Sequence, residues 1–308
     1  MITALCLSLI GRAQEEVPED SVAEPWEAGG KGSFNFSQVA LVNWASGGQN
    51  TISGTVRGNL FANYRKDNLM WDNSMEFGYG LMRQGEEGIK KTNDEVELVS
   101  KYGRQAFMNN ENWFYSTMLS FKTQFTRGYN YPNDSVVVSD FLAPGYILLS
   151  IGMDYNPGDN FSVSVSPLTG KVTMVMDEDL SNEGRYGVEP AKKDTGGNII
   201  REGEKVRYEF GGSVKLMYQK EVWENVVLGT TLELFSNYFE KPQNLNVNWE
   251  MKLDMKVNKF LGISLKTDAI YDDDIMIEVD RDGDGEVDGH GPRTQLKQVV
   301  ELGLNYEF

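Results

Sequence analysis

The chain has 308 residues, of which 40% are hydrophobic, and a formal net charge of −17 at pH 7. Nucleic-acid phosphates attract basic surfaces, so this acidic balance argues against nucleic acid as a partner. After the first stretch, no segment offers the roughly 20 consecutive apolar residues that a spanning helix needs, which excludes a helical membrane protein.

The first 14 residues, MITALCLSLIGRAQ, contain a short apolar core and a small residue at Ala13. This pattern is typical of a secretory signal peptide that is cleaved near Ala13 or Gln14, and the missing basic start leaves an N-terminal truncation open. Cys6, the only cysteine, lies inside it. The mature chain is therefore predicted to have no disulfide, thiol catalyst or cysteine zinc site. Residues 15–31 are acidic, contain Pro and Gly, and are interpreted as a flexible periplasmic lead-in.

The rest of the chain, 32–308, is dominated by long segments in which apolar and polar residues alternate. In 245–257, for example, every odd-numbered residue is apolar and every even-numbered residue is polar. A period of two residues predicts β-strands. Twelve strands are predicted, over 33–44, 51–64, 69–83, 94–106, 113–125, 145–155, 160–176, 206–218, 225–238, 245–257, 260–271 and 294–308.

These segments are long for strands, and a tilted strand that crosses a bilayer needs about 9–11 residues. Short turns rich in Asn, Asp, Gly or Lys alternate with longer loops, and aromatic residues flank the short turns, as in outer-membrane barrels. The predicted fold class is all-β: a transmembrane antiparallel up-and-down β-barrel of about 12 strands, with short periplasmic turns and longer extracellular loops. A soluble β-sandwich also has alternating strands, but it explains neither the strand length nor the rhythm of the turns.

The last ten residues, VVELGLNYEF, alternate up to Phe308. In a closed barrel the last strand pairs with the first, because lipid leaves no unsatisfied edge. Phe308 is then predicted to anchor the last strand at the interface, and it resembles the terminal signal that the outer-membrane assembly machinery reads. The predicted location is the outer membrane of a Gram-negative bacterium. The predicted partners are the lipid bilayer with its lipopolysaccharide, this machinery and other outer-membrane proteins.

Six stretches resemble a family of outer-membrane barrels of unknown function that is found chiefly in Bacteroidota. They are NWASGGQN (43–50), WDNSMEFGYG (71–80), FKTQF (121–125), DFLAPGYILLSIGMDYNP (140–157), SPLTGKVT (166–173) and LFSNYFEKPQNLNVNWEMKLDMKVNKF (234–260). The resemblance implies the fold and the location, and it implies no activity.

The sharpest local motif is DRDGDGEVDGHG, in which acidic residues alternate with other residues and glycines follow. Calcium takes six to eight oxygen ligands, and the pattern D-x-D-x-D-G supplies three carboxylates and a glycine that permits a sharp turn. An EF-hand would also need flanking helices and a glutamate at the position of Gly291. The loop 280–288 is therefore predicted to bind calcium weakly, and a merely solvated acidic loop is the alternative. The predicted ligands are Asp280, Asp282, Asp284 and Asp288.

No catalytic residue is predicted. His290 is the only histidine, and a Ser–His hydrolase at the barrel rim would have to use it, but no serine motif accompanies it. The Gly-Lys of SPLTGK lacks the full phosphate-loop pattern and its helix. Pro167 and Gly170 are instead interpreted as a bend or bulge in a strand.

Acidic and basic residues nearly balance on the polar faces of the predicted strands. Open selective pores carry rings of one sign, whereas mixed charges pair, since an unpaired buried charge is costly. A narrow or occluded lumen is therefore predicted. Its charged residues are predicted to be Arg57, Glu76, Lys122, Arg207, Glu209, Lys215, Glu233, Glu250, Lys252, Asp254, Lys266 and Asp268.

Three classes of function fit this sequence. A structural or interaction barrel agrees best with the charge balance, a small-solute channel or transporter is the alternative, and a hydrolase at the barrel rim is the third. The sequence predicts no substrate, protein partner or oligomeric state.

Overall fold

The barrel is seen in a computed structural model that describes residues 24–40, 49–86, 88–131, 133–158, 160–279 and 288–307. Its strands alternate in sequence as predicted and are long, mostly 11 to 19 residues. The twelve barrel strands are β1 (Trp26–Val39), β2 (Thr51–Lys66), β3 (Leu69–Gln84), β4 (Ile89–Phe107), β5 (Asn110–Thr123), β6 (Gly145–Gly158), β7 (Phe161–Met174), β8 (Val206–Trp223), β9 (Val226–Asn237), β10 (Asn246–Lys256), β11 (Leu261–Tyr271) and β12 (Gln295–Glu307).

Each strand pairs antiparallel with its neighbours in the chain, and β12 pairs with β1 to close the barrel. The predicted fold, a closed up-and-down barrel of 12 strands, is confirmed. Tight connections such as 67–68 and 224–225 lie at one end, which is called the short-turn end. The longer connections lie at the other, long-loop end.

The long connections contain small elements of their own. Three two-stranded hairpins join Gly128–Asn130 to Asn133–Ser139, Lys192–Lys193 to Ile199–Arg201, and Ile277–Val279 to Gly289–Gly291. The connection between β7 and β8 also holds the helix α1 (Glu178–Asn182) and a 3-10 turn (Arg185–Gly187). The described residues contain no helix that is long and apolar enough to cross a membrane.

The first strand is longer at its start than the sequence indicated. It begins at Trp26, so part of the segment predicted as a flexible lead-in, 15–31, is barrel wall. Alternation fails to reveal this part because three glycines, Gly29, Gly30 and Gly32, interrupt it. Pairing with β2 nevertheless runs from Trp26–Tyr64 onwards, and backbone hydrogen bonds need no apolar side chains. The predicted signal peptide, 1–14, lies outside the described residues.

The strand β7 has the predicted irregularity beside Pro167. Its register against β6 shifts between the pairs Ile151–Leu168 and Met153–Val165. Gly152 faces this bulge, and a Cβ there would come within 2.1 Å of the Val165 carbonyl oxygen. A glycine is needed because the backbones approach closely.

The outward face of the barrel is apolar. Val56, Leu119 and Ile151 keep 47%, 49% and 48% of their surface exposed although they lie in mid-strand. At the short-turn end, the ring of Trp26 lies 5.1 Å from that of Tyr64 and 5.7 Å from that of Trp71. An apolar band with aromatic residues at its border has the form that a lipid bilayer requires of a barrel surface.

Candidate functional site: the charge-paired lumen

The predicted lumen residues all lie in barrel strands, and the structure brings them together in pairs. Eleven of the twelve take part in an ion pair. Glu76 instead accepts a hydrogen bond of 2.7 Å from the Asn59 amide. The pairing follows from strand geometry, because inward side chains of neighbouring strands lie close enough to interact.

Two clusters face each other across the barrel and form the central charge layer. On β4 and β5, the Lys122 ammonium lies 3.5 Å from a Glu95 oxygen and 3.3 Å from a Glu97 oxygen. On β10 and β11, the Lys266 ammonium lies 2.8 Å from Glu250 and 3.7 Å from Asp268. Lys266 also interacts electrostatically with Glu95, and Lys122 with Glu250, so the layer connects opposite walls.

Other pairs hold neighbouring strands together. The Arg57 guanidinium donates two hydrogen bonds to Glu301, of 2.9 and 3.1 Å, in the bidentate geometry that makes such pairs strong. Lys215 pairs with Glu233 across the β8–β9 seam. Asp254 lies 3.1 Å from Lys252 and 3.9 Å from Lys31.

One of the deeply buried ion pairs is Lys101–Asp154, whose residues share the inward parity of their strands but are not among the predicted lumen sites. Asp154 has no exposed surface, and it also accepts a hydrogen bond of 3.0 Å from the Ser116 hydroxyl. The Lys101 side chain is 13% exposed. A buried charge of this kind depends on its partner, because the wall offers it little water.

At the long-loop end, Arg207 joins several connections to the lumen. Its guanidinium donates to the Gly187 carbonyl at 3.2 Å and binds Asp274, which belong to different connections. It also lies 3.3 Å from Glu209 and 3.7 Å from Glu240. A single side chain thus ties three connections over the mouth of the barrel.

The acidic residues 272–274 make a second group of polar contacts at the long-loop end. Asp272 accepts a hydrogen bond of 3.0 Å from Asn246 and lies 3.8 Å from the Lys171 ammonium. Asp273 binds Asn244 and lies 3.4 Å from Lys241. The start of the β11–β12 connection is therefore fixed to the strands beside it.

A small hydrophobic core lies among the connections at the long-loop end. The buried side chains of Ala143, Val175, Leu180 and Val188 pack together. These residues come from the described parts of the connections 124–144 and 175–205, which are called the cap. The cap is built as a second, smaller core above the barrel.

A tyrosine fastens the two halves of the cap to each other. The Tyr186 hydroxyl donates a hydrogen bond of 2.5 Å to the Val138 carbonyl. Burial raises the pKa of Tyr186, so its phenol stays protonated and remains a donor.

A cavity of about 630 Å³ extends from the central charge layer to the short-turn end. Arg57, Glu95, Glu250, Lys266 and Glu301 lie where this cavity meets the layer. The side chains of the layer keep part of their surface open, from 18% in Lys266 to 43% in Lys122. The lumen therefore has room for water on the short-turn side of the central charge layer.

Sequence reasoning missed three further lumen groups, and only the first of them, Glu95, has a signal in the sequence. Glu95 shares the parity of Glu97, which marks it as inward. Lys171 lies 3.2 Å from the buried Glu209 and 5.4 Å from the centre of the Phe235 ring, but it follows the β7 bulge, where parity changes. The run 272–274 follows a strand, so alternation says nothing about it.

The predicted calcium ligands Asp280, Asp282 and Asp284 lie outside the described residues. Asp288 is described, directly before the strand that carries His290. Among the described residues, no group of three or more His, Cys, Asp or Glu side chains could hold a metal ion. Calcium binding stays a prediction.

Part of the chain matches a known family model. Residues 36–129 match a family described as "Protein of unknown function (DUF3078)", and this range contains three of the six stretches that carry the family resemblance. No curated protein is significantly similar to the chain.

Three solved structures illustrate the likeness. An outer-membrane channel from Pseudomonas putida F1 is 13% identical, with a TM-score of 0.41, over 96% of this chain and 100% of that one. The translocator domain of the autotransporter NalP from Neisseria meningitidis is 9% identical, with a TM-score of 0.34, over 94% and 90%. The toluene transporter TodX from P. putida is 10% identical, with a TM-score of 0.29, over 93% and 92%. At these identities the likeness concerns the fold alone.

Proposed function

We propose that this chain is a barrel of the Gram-negative outer membrane whose lumen is closed to diffusing solutes, and that it serves as a structural or interaction protein. The apolar outward face and its aromatic border support the membrane location. The observation that carries the closed lumen is the central charge layer, in which Lys122 and Lys266 on opposite walls are each held by two carboxylates.

The charge layer opposes conduction in a way that a ring of one sign does not. An ion-selective pore concentrates one sign of charge to attract its ion. Here each lysine bridges two carboxylates, and displacing the lysine costs free energy because those carboxylates are left unpaired.

Planar-bilayer recording tests this proposal. Purified folded protein is expected to show no large, stable conductance steps. A Lys122→Ser/Lys266→Ser variant removes both bridging cations and is expected to conduct cations through the remaining carboxylates. Large steady steps from the wild type would instead support a small-solute channel, the alternative that the water-accessible cavity favours.

The predicted interaction of Phe308 with the outer-membrane assembly machinery can be tested by mutation. Phe308 lies outside the described residues, and we expect Phe308→Ala to reduce the amount of folded protein in the outer membrane. The change removes an apolar anchor worth about 1.5–3 kcal/mol on burial. Phe239→Ala is the matched control, because Phe239 is an exposed phenylalanine in a long connection. Equal amounts of heat-modifiable folded protein from both variants would contradict the prediction.

Calcium binding by the loop 280–288 is tested by titration calorimetry. Calcium is expected to bind in roughly the 0.1–1 mM range that is typical of extracellular sites. The variant Asp282→Asn/Asp284→Asn is expected to lose this binding, since it removes two carboxylate ligands. The same heat from both proteins would leave the motif as a solvated acidic loop.

A further inference from the structure

The seam between β1 and β12 is paired over only part of its length. Among the described residues, pairing runs from Lys31–Glu307 to Asn35–Gly303 and stops there. The residues above this point, Phe36–Val39, pair only with β2. The facing part of β12 pairs only with β11. The two strands that close the barrel thus separate towards the long-loop end.

A cavity of about 220 Å³ lies at this separation. Its walls combine residues of both faces of the barrel: Phe36, Val300 and Leu302 point outward, and Arg57, Asn93 and Lys297 point inward. Because residues of both faces line it, this cavity lies between the lipid side and the lumen side of the wall.

The position of the gap matches the outer border of the membrane. Phe36 lies about ten residues above Trp26, and a tilted strand rises by roughly 25 Å over that length, which is the height of the apolar band of such barrels. Phe36, Val300 and Leu302 are exposed by 51%, 70% and 55%. An acyl chain can lie against these side chains with its head group level with the gap.

The inward side of the gap offers a positive charge. The Lys297 ammonium donates a hydrogen bond of 3.3 Å to the neutral Asn93 amide oxygen. Asp268 faces Lys297 in the strand register, but its carboxylate lies 3.7 Å from the Lys266 ammonium. Lys297 also interacts electrostatically with Asp268 and Glu95. Its ammonium has three N–H groups and donates one hydrogen bond to Asn93, so it keeps donor capacity for an incoming anion.

The one carboxylate at the base of the gap is occupied. Glu301 accepts two hydrogen bonds from Arg57, and a third, of 3.1 Å, from the Asn35 amide on β1. These three hydrogen bonds join β1, β2 and β12 where pairing ends. The Arg57 guanidinium also neutralises the Glu301 carboxylate, which would otherwise repel an anionic head group. The unpaired backbone edges above it are costly in hydrocarbon unless a polar group satisfies them.

We propose that the gap between β1 and β12 is a lateral binding site for a single-chain anionic amphiphile, such as a long-chain fatty acid. Its acyl chain lies outside against Phe36, Val300 and Leu302, and its anionic head group enters the gap and contacts Lys297. This site goes beyond the proposed function, because a lumen that is closed along its axis still admits a ligand from the side. The labelling described next and the conductance recordings are separate readouts, so either proposal can fail alone.

The experiment uses the folded protein in lipid nanodiscs with a diazirine analogue of palmitic acid, and maps the cross-linked peptides by mass spectrometry. Cross-links are expected to concentrate on 36–39 and 296–302. Lys297→Gln is expected to reduce this labelling by about ten-fold, the loss expected for one charge-assisted hydrogen bond. Lys252→Gln is the matched control, because Lys252 is a lumen lysine with its own partner, Asp254, and labelling should be unchanged.

A disulfide lock tests the gap itself. Gln38→Cys/Val300→Cys continues the observed register into the separated part of the seam, and its oxidation draws the strands together. Phe34→Cys/Leu304→Cys joins residues that already pair and is the control. The first lock is expected to abolish labelling until the disulfide is reduced, whereas the control lock leaves it intact.

Several outcomes would overturn the proposal. Labelling spread evenly around the apolar band, or equal in Lys297→Gln and the wild type, would mean adventitious lipid contact only. Equal labelling by the matching diazirine alcohol would show that the negative charge of the head group is not needed for binding. Stronger labelling by a diazirine lipid with a phosphate head group would show that the site binds a phospholipid and not a fatty acid. Cross-linked dimers through 36–39 would show that the edge binds a second copy of the chain.

Discussion

Replacing Asp154 with alanine is expected to destabilise the folded barrel by about 3–5 kcal/mol, the usual effect of removing one partner of a buried ion pair. Asp154 is fully buried, and its loss leaves the Lys101 ammonium, 13% exposed, without its carboxylate. The Ser116 hydroxyl loses its acceptor as well. Urea unfolding in detergent micelles, followed by tryptophan fluorescence, measures the free energy of unfolding.

Two further variants show whether the unpaired charge is the cause. Lys101→Met/Asp154→Leu removes both charges and keeps most of the volume, so it is expected to regain much of the lost stability. Arg201→Ala breaks an exposed pair with Glu189 and is expected to change the free energy of unfolding by less than about 1 kcal/mol. If the double variant is as unstable as Asp154→Ala, packing at this position, and not charge, determines the effect.

The barrel wall could be predicted from the sequence because its chemistry repeats every two residues. A strand with lipid on one side and a polar lumen on the other must alternate, and 245–257 does so without exception. Alternation therefore gives the number of strands, their approximate ends and the side chains that share the lumen. It fails in β1, where glycines replace side chains and only the pairing with β2 reveals the wall.

The partners within the lumen could not be predicted from the same pattern. Parity places Lys122 and Lys266 inside, but it does not say that they lie in clusters on opposite walls. That depends on how the strands are staggered around the barrel, and on register shifts such as those between Gly80 and Leu81 or beside Pro167. The near-equal numbers of acidic and basic residues in the lumen predict that charges pair. Which residues form each pair depends on the register of the strands.

The cap lay beyond sequence reasoning for a different reason. Its core of Ala143, Val175, Leu180 and Val188 consists of single apolar residues in connections that show no periodicity. Only the tertiary structure brings them together. The gap in the β1–β12 seam is likewise invisible in the sequence, because alternation within a strand does not show which residues pair with the neighbouring strand.

Replacing Arg207 with alanine is expected to release the cap while the barrel stays folded. The guanidinium is the group that ties Gly187, Glu240 and Asp274 to β8, and its side chain is only 16% exposed. Glu209 keeps its ion pair with Lys171 at 3.2 Å, so the wall itself loses little. Amide hydrogen exchange in 182–205 is expected to accelerate by about 10- to 100-fold, because local opening loses one or two hydrogen bonds to a charged group.

The control for this change lies in the same connection. Arg185 pairs with Glu183 on the surface and is 51% exposed, so Arg185→Ala is expected to leave exchange in 182–205 near the wild-type rate. Conductance shows whether the central charge layer or the cap closes the lumen. If the central charge layer closes the barrel, Arg207→Ala opens the cap and still conducts no more than the wild type, whereas Lys122→Ser/Lys266→Ser conducts with the cap in place. A conducting Arg207→Ala variant would make the cap, and not the layer, the barrier to solutes.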